Sequence, residues 1–218
     1  MDFTFAAIDV GVTLEEKKAM LEEVLALPDD VHHYNSFRGC RMIAIYNGGG
    51  RLGGPIKGID TKAGEFEYTK AGDLCPTMRK VIEEKMFPWL IPHGRVTILR
   101  TAPGTGLNVH LDSKEKEIGT LQYKYRLVLN GAIDKLYFID EDYNKVYVPD
   151  LYDSYILDGS HAHSIDPDTE EKITICVGAP WHGEPNESYN KMINNPKFKM
   201  KVSRPYTKKE WLDPGHKK

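Results

Sequence analysis

The sequence predicts a mainly β fold with supporting α-helices, a jelly roll with helices packed against it, and three observations lead there. After Trp89 the chain breaks into short runs rich in Val, Ile, Tyr and Leu, separated by Gly, Pro, Asp and Asn; this is the spacing of an antiparallel sandwich or barrel. Helical periodicity is concentrated before that point. The 218 residues, 40% of them apolar, suit one domain with a sizeable core rather than two. The expected organisation is a single domain over 1–218. It comprises a helical and Gly-loop part over about 1–92, a jelly-roll core over about 93–180 and a basic C-terminal extension over about 181–218.

Thr13-Leu14-Glu15-Glu16 has the spacing of a capping box, in which a Thr hydroxyl and a Glu carboxylate satisfy two backbone N–H groups reciprocally. Leu14, Leu21, Val24 and Leu25 recur on one helical face before Pro28 stops the segment. Met42 to Tyr46 reads as a short buried strand. From Gly48 to Gly58 the chain holds six glycines and Pro55. It lacks the G-K-[ST] ending of a phosphate-binding loop, so it reads as a surface loop beside the site. Pro76 stands where a first helical residue would, and Met78, Val81, Ile82 and Met86 mark one face of a helix ending near Pro88. Strands are expected over 95–100, 108–111, 121–129, 136–139, 145–148, 154–157 and 172–178.

Charge and cysteine usage exclude several classes. A net charge of −3 and a pI near 6.2 create no global field for nucleic acid or an anionic membrane. Phe198, Tyr206 and Trp211 interleave with the lysines of the tail, but an acidic chain makes a solvated tail with a few packed aromatics the expectation. Cys40, Cys75 and Cys176 are odd in number and lack any C-x-x-C. A disulfide framework or Cys-rich zinc site is therefore not expected, and a reducing cytoplasm is. No apolar run approaches membrane-spanning length, and the N-terminus has no basic region followed by an apolar core.

The chemistry gathers in Asn108-Val109-His110-Leu111-Asp112 and Ser160-His161-Ala162-His163-Ser164-Ile165. On a strand, alternate residues share a face, so His110 and Asp112 project an imidazole and a carboxylate into one cavity. A second imidazole from another strand completes two His and one carboxylate on one side of an ion. That set leaves open positions for substrate and dioxygen, as non-haem Fe(II) oxygenases require. His161 and His163 share a face, so alternation does not separate them. Asp158-Gly159-Ser160 is a turn-like cluster that sets His161 in or beside a bend, whereas His163 runs on into Ser164-Ile165. His163 is the expected third ligand.

Lys172 and Thr174 share one face of the final strand. A fixed cation and a hydroxyl there suit a dicarboxylate bound away from water. Gln122, Lys124 and Arg126 share one face of a long strand whose other face carries Leu121, Tyr123, Tyr125, Leu127 and Leu129. If the polar face lines the barrel, Lys124 or Arg126 supplies a second cationic contact; if it faces solvent, neither does.

The order Arg95 to Thr105, Asn108-Val-His110-Leu-Asp112, Arg126-Leu-Val-Leu-Asn130, Asp158 to Ile165, Lys172-Ile-Thr174 resembles the Fe(II)/2-oxoglutarate-dependent oxygenases. Within them it is similar to the aspartyl/asparaginyl β-hydroxylase branch, and the resemblance covers about half the chain, from Arg95 to Gly178. The resemblance implies a double-stranded β-helix with a metal at its open end, held by His110, Asp112 and His163. It implies Fe(II), 2-oxoglutarate and O2 as cofactor and co-substrates. The implied activity is hydroxylation of an amino acid, or of a residue in a peptide or protein, with release of succinate and CO2. Lys172 stands where the family usually has an arginine for the distal carboxylate, and Thr174 matches the hydroxyl two residues later. A histidine common on the central strand of that branch falls at Lys124. Two other classes share the pattern: a cupin-like metalloenzyme that does not use 2-oxoglutarate, and a non-enzymatic jelly-roll binding protein.

Overall fold

A computed structural model of the chain describes residues 3–35, 40–52, 66–89, 94–111, 123–159, 161–178 and 196–204. In chain order the elements are β1 (Phe5–Ala7), α1 (Leu14–Leu25), β2 (His33–Asn35), β3 (Cys40–Gly48), β4 (Phe66–Tyr68), α2 (Lys70–Asp73), α3 (Pro76–Val81), β5 (Val96–Thr101), β6 (Tyr123–Asn130), β7 (Leu136–Ile139), β8 (Lys145–Tyr147), β9 (Ser154–Asp158), β10 (His163–Ile165), β11 (Lys172–Val177) and β12 (Phe198–Met200). A large antiparallel sheet runs β12-β1-β9-β6-β11-β5-β3-β2, with β4 paired to β3. A smaller sheet runs β10-β7-β8.

The 107–111 segment joins the small sheet at its β10 edge. His110 and His163 form an antiparallel bridge, and the Leu107 N–H donates to the Ile165 carbonyl at 2.8 Å. Counting eight strands from β5 with this segment second, the large sheet holds the first, eighth, third and sixth side by side. The small sheet holds the second, seventh, fourth and fifth. That interleaving is the two-Greek-key order of a jelly roll. β1, β2, β3 and β12 widen its larger sheet.

Period-two alternation decides which chemistry each layer receives. Val96 and Ile98 of β5, Tyr125 and Leu127 of β6, and Ile173, Ile175 and Val177 of β11 join one buried cluster with Met20, Met78, Ile82 and Met86 of the helical layer. The intervening residues, among them Thr97, Leu99, Thr101, Arg126, Val128, Lys172, Thr174 and Cys176, therefore face the interior between the sheets. A second cluster fills part of that interior with Phe5, Val128, Leu136, Phe138, Tyr155 and Leu157.

The helices follow their sequence signals in part. Thr13 accepts from the Glu16 N–H while Glu16 accepts from the Thr13 N–H, the reciprocal cap the spacing predicts. The predicted apolar face of α1 is corrected: Met20 and Val24 are buried, but Leu14 and Leu25 are more than half exposed. Met78, Val81, Ile82 and Met86 are all buried as predicted, yet the helix is α-helical only to Val81 and widens over Ile82–Met86, with the Phe87 N–H donating to the Ile82 carbonyl. The Glu23 carboxylate accepts from the Thr77 and Met78 N–H groups at 2.6 and 2.9 Å. It thereby ties α1 to the start of α3, where negative charge is favoured. Most of the Gly-rich loop, from Gly53 on, lies outside the described residues. No described helix is long and apolar enough to cross a membrane. Cys40, Cys75 and Cys176 are buried and form no disulfide among the described residues.

Candidate active site

Between the two sheets lies a cavity of about 30 Å³ into which five of the seven predicted site residues converge: His110 and His163 from the small sheet, Arg126, Lys172 and Thr174 from the large one. All five are at least nine-tenths buried. Asp112 lies outside the described residues. Lys124 shares the inward face of β6 with Arg126 but is half-buried and is not part of the cavity lining.

His110 and His163 are brought together by backbone pairing. Their imidazole rings sit 4.6 Å apart and are inclined by 48°. Each ring is oriented by its own strand: the His110 Nδ1 lies 2.7 Å from the Asn108 carbonyl, and the His163 Nδ1 2.8 Å from the His161 carbonyl. A carbonyl oxygen only accepts, so Nδ1 carries the proton in both rings and Nε2 carries the lone pair. Two imidazoles with Nδ1 anchored to main chain and Nε2 basic are what a divalent transition metal takes as ligands. Among the described residues no third His, Cys, Asp or Glu joins them; the expected third ligand is Asp112.

His161 is built differently. It is 1% exposed, its Nε2 donates to the Ile139 carbonyl at 2.8 Å, and its ring stands edge-on to Phe138 at 5.5 Å. Burial depresses its pKa below the ordinary imidazole value, with nearby Arg204 acting the same way against the hydrogen bond to Ile139 and the charge of Asp158. In this orientation the ring spends its Nε2 proton on main chain, and His161 does not line the cavity.

Lys172 is 4% exposed. Its ammonium donates to the Ala132 carbonyl at 2.6 Å, and among the described residues no carboxylate pairs with it. Burial pushes its pKa down to about 8, against the more distant charges of Asp168, Asp134 and Asp150. A buried cation with a single carbonyl partner keeps two N–H donors for an anion. Arg126 donates to the Tyr125 carbonyl at 3.1 Å.

Two polar lining residues escaped sequence reasoning. Thr101 lies directly across from Lys172 in the β5–β11 register, one residue beyond the predicted end of its strand. Tyr155 lines the cavity opposite Arg126. The run Tyr155-Ile156-Leu157 is apolar throughout, so nothing in it marks which residues turn inward; only its register against β6 does.

No family model and no curated protein matches the sequence. The fold is similar to several solved structures. A prolyl hydroxylase from Trichoplax adhaerens, in complex with a peptide fragment of the oxygen degradation domain of hypoxia inducible factor, superposes with a TM-score of 0.52 at 13% identity, covering 86% of each chain. A Pseudomonas putida prolyl-4-hydroxylase gives a TM-score of 0.50 at 13% identity over 84% of this chain and 94% of that one. A 2OG-Fe(II) oxygenase family oxidoreductase from Burkholderia pseudomallei gives 0.50 at 11% identity, over 78% and 81%. At these identities the likeness is one of fold, a jelly roll shared with two prolyl hydroxylases and a 2OG-Fe(II) oxygenase family oxidoreductase.

Proposed function

We propose that this chain is a non-haem Fe(II) and 2-oxoglutarate-dependent oxygenase that hydroxylates an amino acid or a residue in a peptide. The observation that carries the reading is the convergence of two main-chain-oriented imidazoles and a buried, carboxylate-free lysine on one small cavity. The fold shared with prolyl hydroxylases and a 2OG-Fe(II) oxygenase supports it, and the peptide held by the Trichoplax enzyme supports a peptide substrate. The closer likeness to the aspartyl/asparaginyl branch rests on residue order alone.

In this reading His110, Asp112 and His163 hold the metal, and Lys172 with Thr174 holds the distal carboxylate of 2-oxoglutarate. Lysine makes point-charge contacts where a guanidinium would fork; Thr101 and Thr174, flanking Lys172 on the inner face, add hydroxyl groups beside it. Arg126 is the second cationic contact, since it reaches the lining and Lys124 does not. Bound there, Fe(II) and 2-oxoglutarate would supply dioxygen activation, coupling oxidative decarboxylation of the co-substrate to hydroxylation of a C–H bond. The protein's part is orientation and exclusion of water. Leu99, Leu136, Leu157 and Ile165 wall the cavity with hydrocarbon, which strengthens the charged contacts within it.

The deciding experiment incubates the purified chain with Fe(II), ascorbate, oxygen and 2-oxoglutarate and measures succinate. Succinate formed by the wild type and lost in Lys172→Ala is the expected result. Metal binding without succinate would move the chain to a metalloenzyme that does not use 2-oxoglutarate. Neither would leave a binding protein.

A further inference from the structure

A second cavity, of about 470 Å³, lies where β6 and the start of β9 meet the segments 8–12 and 150–153. Its volume falls within the roughly 300–1,000 Å³ of small-molecule sites. Ile8, Val10, Leu127 and Ile133, each more than nine-tenths buried, give it hydrocarbon walls, and Leu151 at 70% exposure joins them. Leu127 lines this cavity while its neighbour Arg126 lines the other. Successive residues of a strand face opposite ways, so the two cavities lie on opposite faces of the large sheet.

Three carboxylates reach this cavity. Asp9 is paired with Lys197 at 2.9 Å, and Asp153 with Lys17. Asp150 is exposed, accepts through Oδ1 from the Ile133 N–H at 3.1 Å, and has no cation paired with it among the described residues. Hydrocarbon walls beside an unpaired carboxylate suit a compact organic amine: the walls take its body from water, and the carboxylate accepts from its ammonium. The turn that borders the cavity also holds Lys172. Gly131 and Ile133 both belong to the lining, whereas the carbonyl between them, that of Ala132, accepts from the Lys172 ammonium. A Cβ on Gly131 would lie 3.3 Å from the Lys172 Cα, so this turn packs directly on β11. Burial opposes the charge on Lys172, and Asp168, Asp134 and Asp150 support it, so the charge at Asp150 is felt on the far side of the turn.

We propose that this cavity is a second ligand site, taking a small organic amine at Asp150, and that the amine and 2-oxoglutarate strengthen each other's binding across the 131–133 turn. The sign follows from charge. The 2-oxoglutarate dianion makes the Lys172 side of the turn more negative, so a cation seated at Asp150 is attracted more strongly once the dianion is bound. Linkage makes the effect reciprocal. Contact with Gly131 and Ile133 acts in the same direction, because an amine that orders the turn holds the Ala132 carbonyl, and with it the Lys172 ammonium, in place. The pairing with 2-oxoglutarate rests on the oxygenase reading, whereas the amine site does not.

The test is calorimetric titration of the full chain with tryptamine, with its isosteres indole-3-ethanol and indole-3-propionate, and with a capped tripeptide that sets a lysine between two leucines. Tryptamine should bind at least about tenfold tighter than the alcohol, a margin that one charge-assisted contact supplies, and the propionate should bind weakest. Asp150→Asn keeps an acceptor for the Ile133 N–H and should erase that margin. With Mn(II) under nitrogen, saturating tryptamine should tighten 2-oxoglutarate binding about fivefold, at the low end of measured couplings. Asp150→Asn should bind 2-oxoglutarate no more weakly than wild type and lose the response to tryptamine, a combination that a damaged fold does not produce. The Lys172 Cε resonance of lysine-labelled protein should shift on saturation with tryptamine, with or without 2-oxoglutarate. Equal binding of the amine and the alcohol, a margin that survives Asp150→Asn, a lysine peptide that outbinds tryptamine, an unmoved Lys172 resonance, or a 2-oxoglutarate affinity indifferent to tryptamine overturns the proposal. Failure of 2-oxoglutarate to bind at all, with the amine ranking and the Lys172 shift intact, would instead overturn the oxygenase reading alone.

Discussion

His110 and His163 exchange both of their main-chain hydrogen bonds, the N–H of each donating to the carbonyl of the other at 3.0 and 3.1 Å. The pairing that closes the small sheet is therefore also the pairing that sets the two imidazoles 4.6 Å apart. Separation of the candidate ligands is a property of strand register, not of side-chain freedom.

Fe(II) affinity, with Mn(II) or Ni(II) as surrogates, should fall by more than about a hundredfold in His110→Ala, Asp112→Ala and His163→Ala, since loss of an outer partner alone costs ten- to a hundredfold. His161→Ala should stay within about tenfold of wild type, because its carbonyl, which orients His163, survives the substitution. Titration calorimetry on the four variants checks this. Retention of iron by His163→Ala with loss in His161→Ala would exchange their roles.

Lys172 should make both co-substrate affinity and stability depend on alkaline pH. Its pKa in the fold, about 8, lies below the ordinary 10.5. Between those values the unfolded chain binds the additional proton, so stability rises with pH across that window. The penalty on the charged form is fully present below the lower value. 2-Oxoglutarate needs the charged form, so its affinity should decline as pH rises above about 8. Chemical denaturation and 2-oxoglutarate titration from pH 7 to 10.5 should slope in opposite directions.

Lys172→Met extends that argument. Filling the position with an isosteric apolar chain removes a charge whose burial, from the shift of 10.5 to about 8, costs roughly 3 kcal/mol. Unfolding should become harder by about 1–3 kcal/mol, as when buried charges are replaced by well-packed hydrophobes, while 2-oxoglutarate binding is lost. A destabilised Lys172→Met would show that the ammonium is held by more than the Ala132 carbonyl.

Two glycines separate stability from the site. A Cβ on Gly106 would lie 2.6 Å from the Ile165 carbonyl, against β10; one on Gly72 would lie 2.4 Å from the Ile45 carbonyl, on the helical side of β3. Both alanine variants should lose about 1–3 kcal/mol, the usual range for forced displacement in a packed region. Only Gly106→Ala should weaken metal binding, because it pushes the 107–111 segment from the strand that carries His163. Melting and metal titration in parallel distinguish the two.

The strands that carry the site were legible because their inward and outward residues differ in kind. Tyr125 and Leu127 against Lys124 and Arg126, or Ile173 and Ile175 against Lys172 and Thr174, announce both strand and face. β7 was predicted at its observed ends, and β6 and β11 within two residues. The 108–111 strand was overstated. Only His110 makes a bridge there, because the Gly106 approach and the Ser164 hydroxyl bond to the Leu107 carbonyl hold the segment irregularly. β1, β2, β4 and β12 were not foreseen. Each has three residues, too few to express a period, and each exists because a neighbouring strand offers an edge. Phe198–Met200 read as part of a solvated tail for this reason. Lys124 and Arg126 had the same sequence signal, and only the closure of the two sheets ranks them.

The pairing of β1 with β12 has a consequence for the order of folding. Thr4 and Val202 exchange hydrogen bonds across 198 positions, the Thr4 hydroxyl donating to the Val202 carbonyl and accepting from its N–H. Such a contact closes a loop of nearly the whole described chain, and its entropic cost is recovered only after the intervening sheet has formed. Until then β1 and its neighbour β9 present an open hydrogen-bonding edge. During synthesis that edge stays uncovered until β12 leaves the ribosome, which makes it the point where two nascent copies would pair with each other.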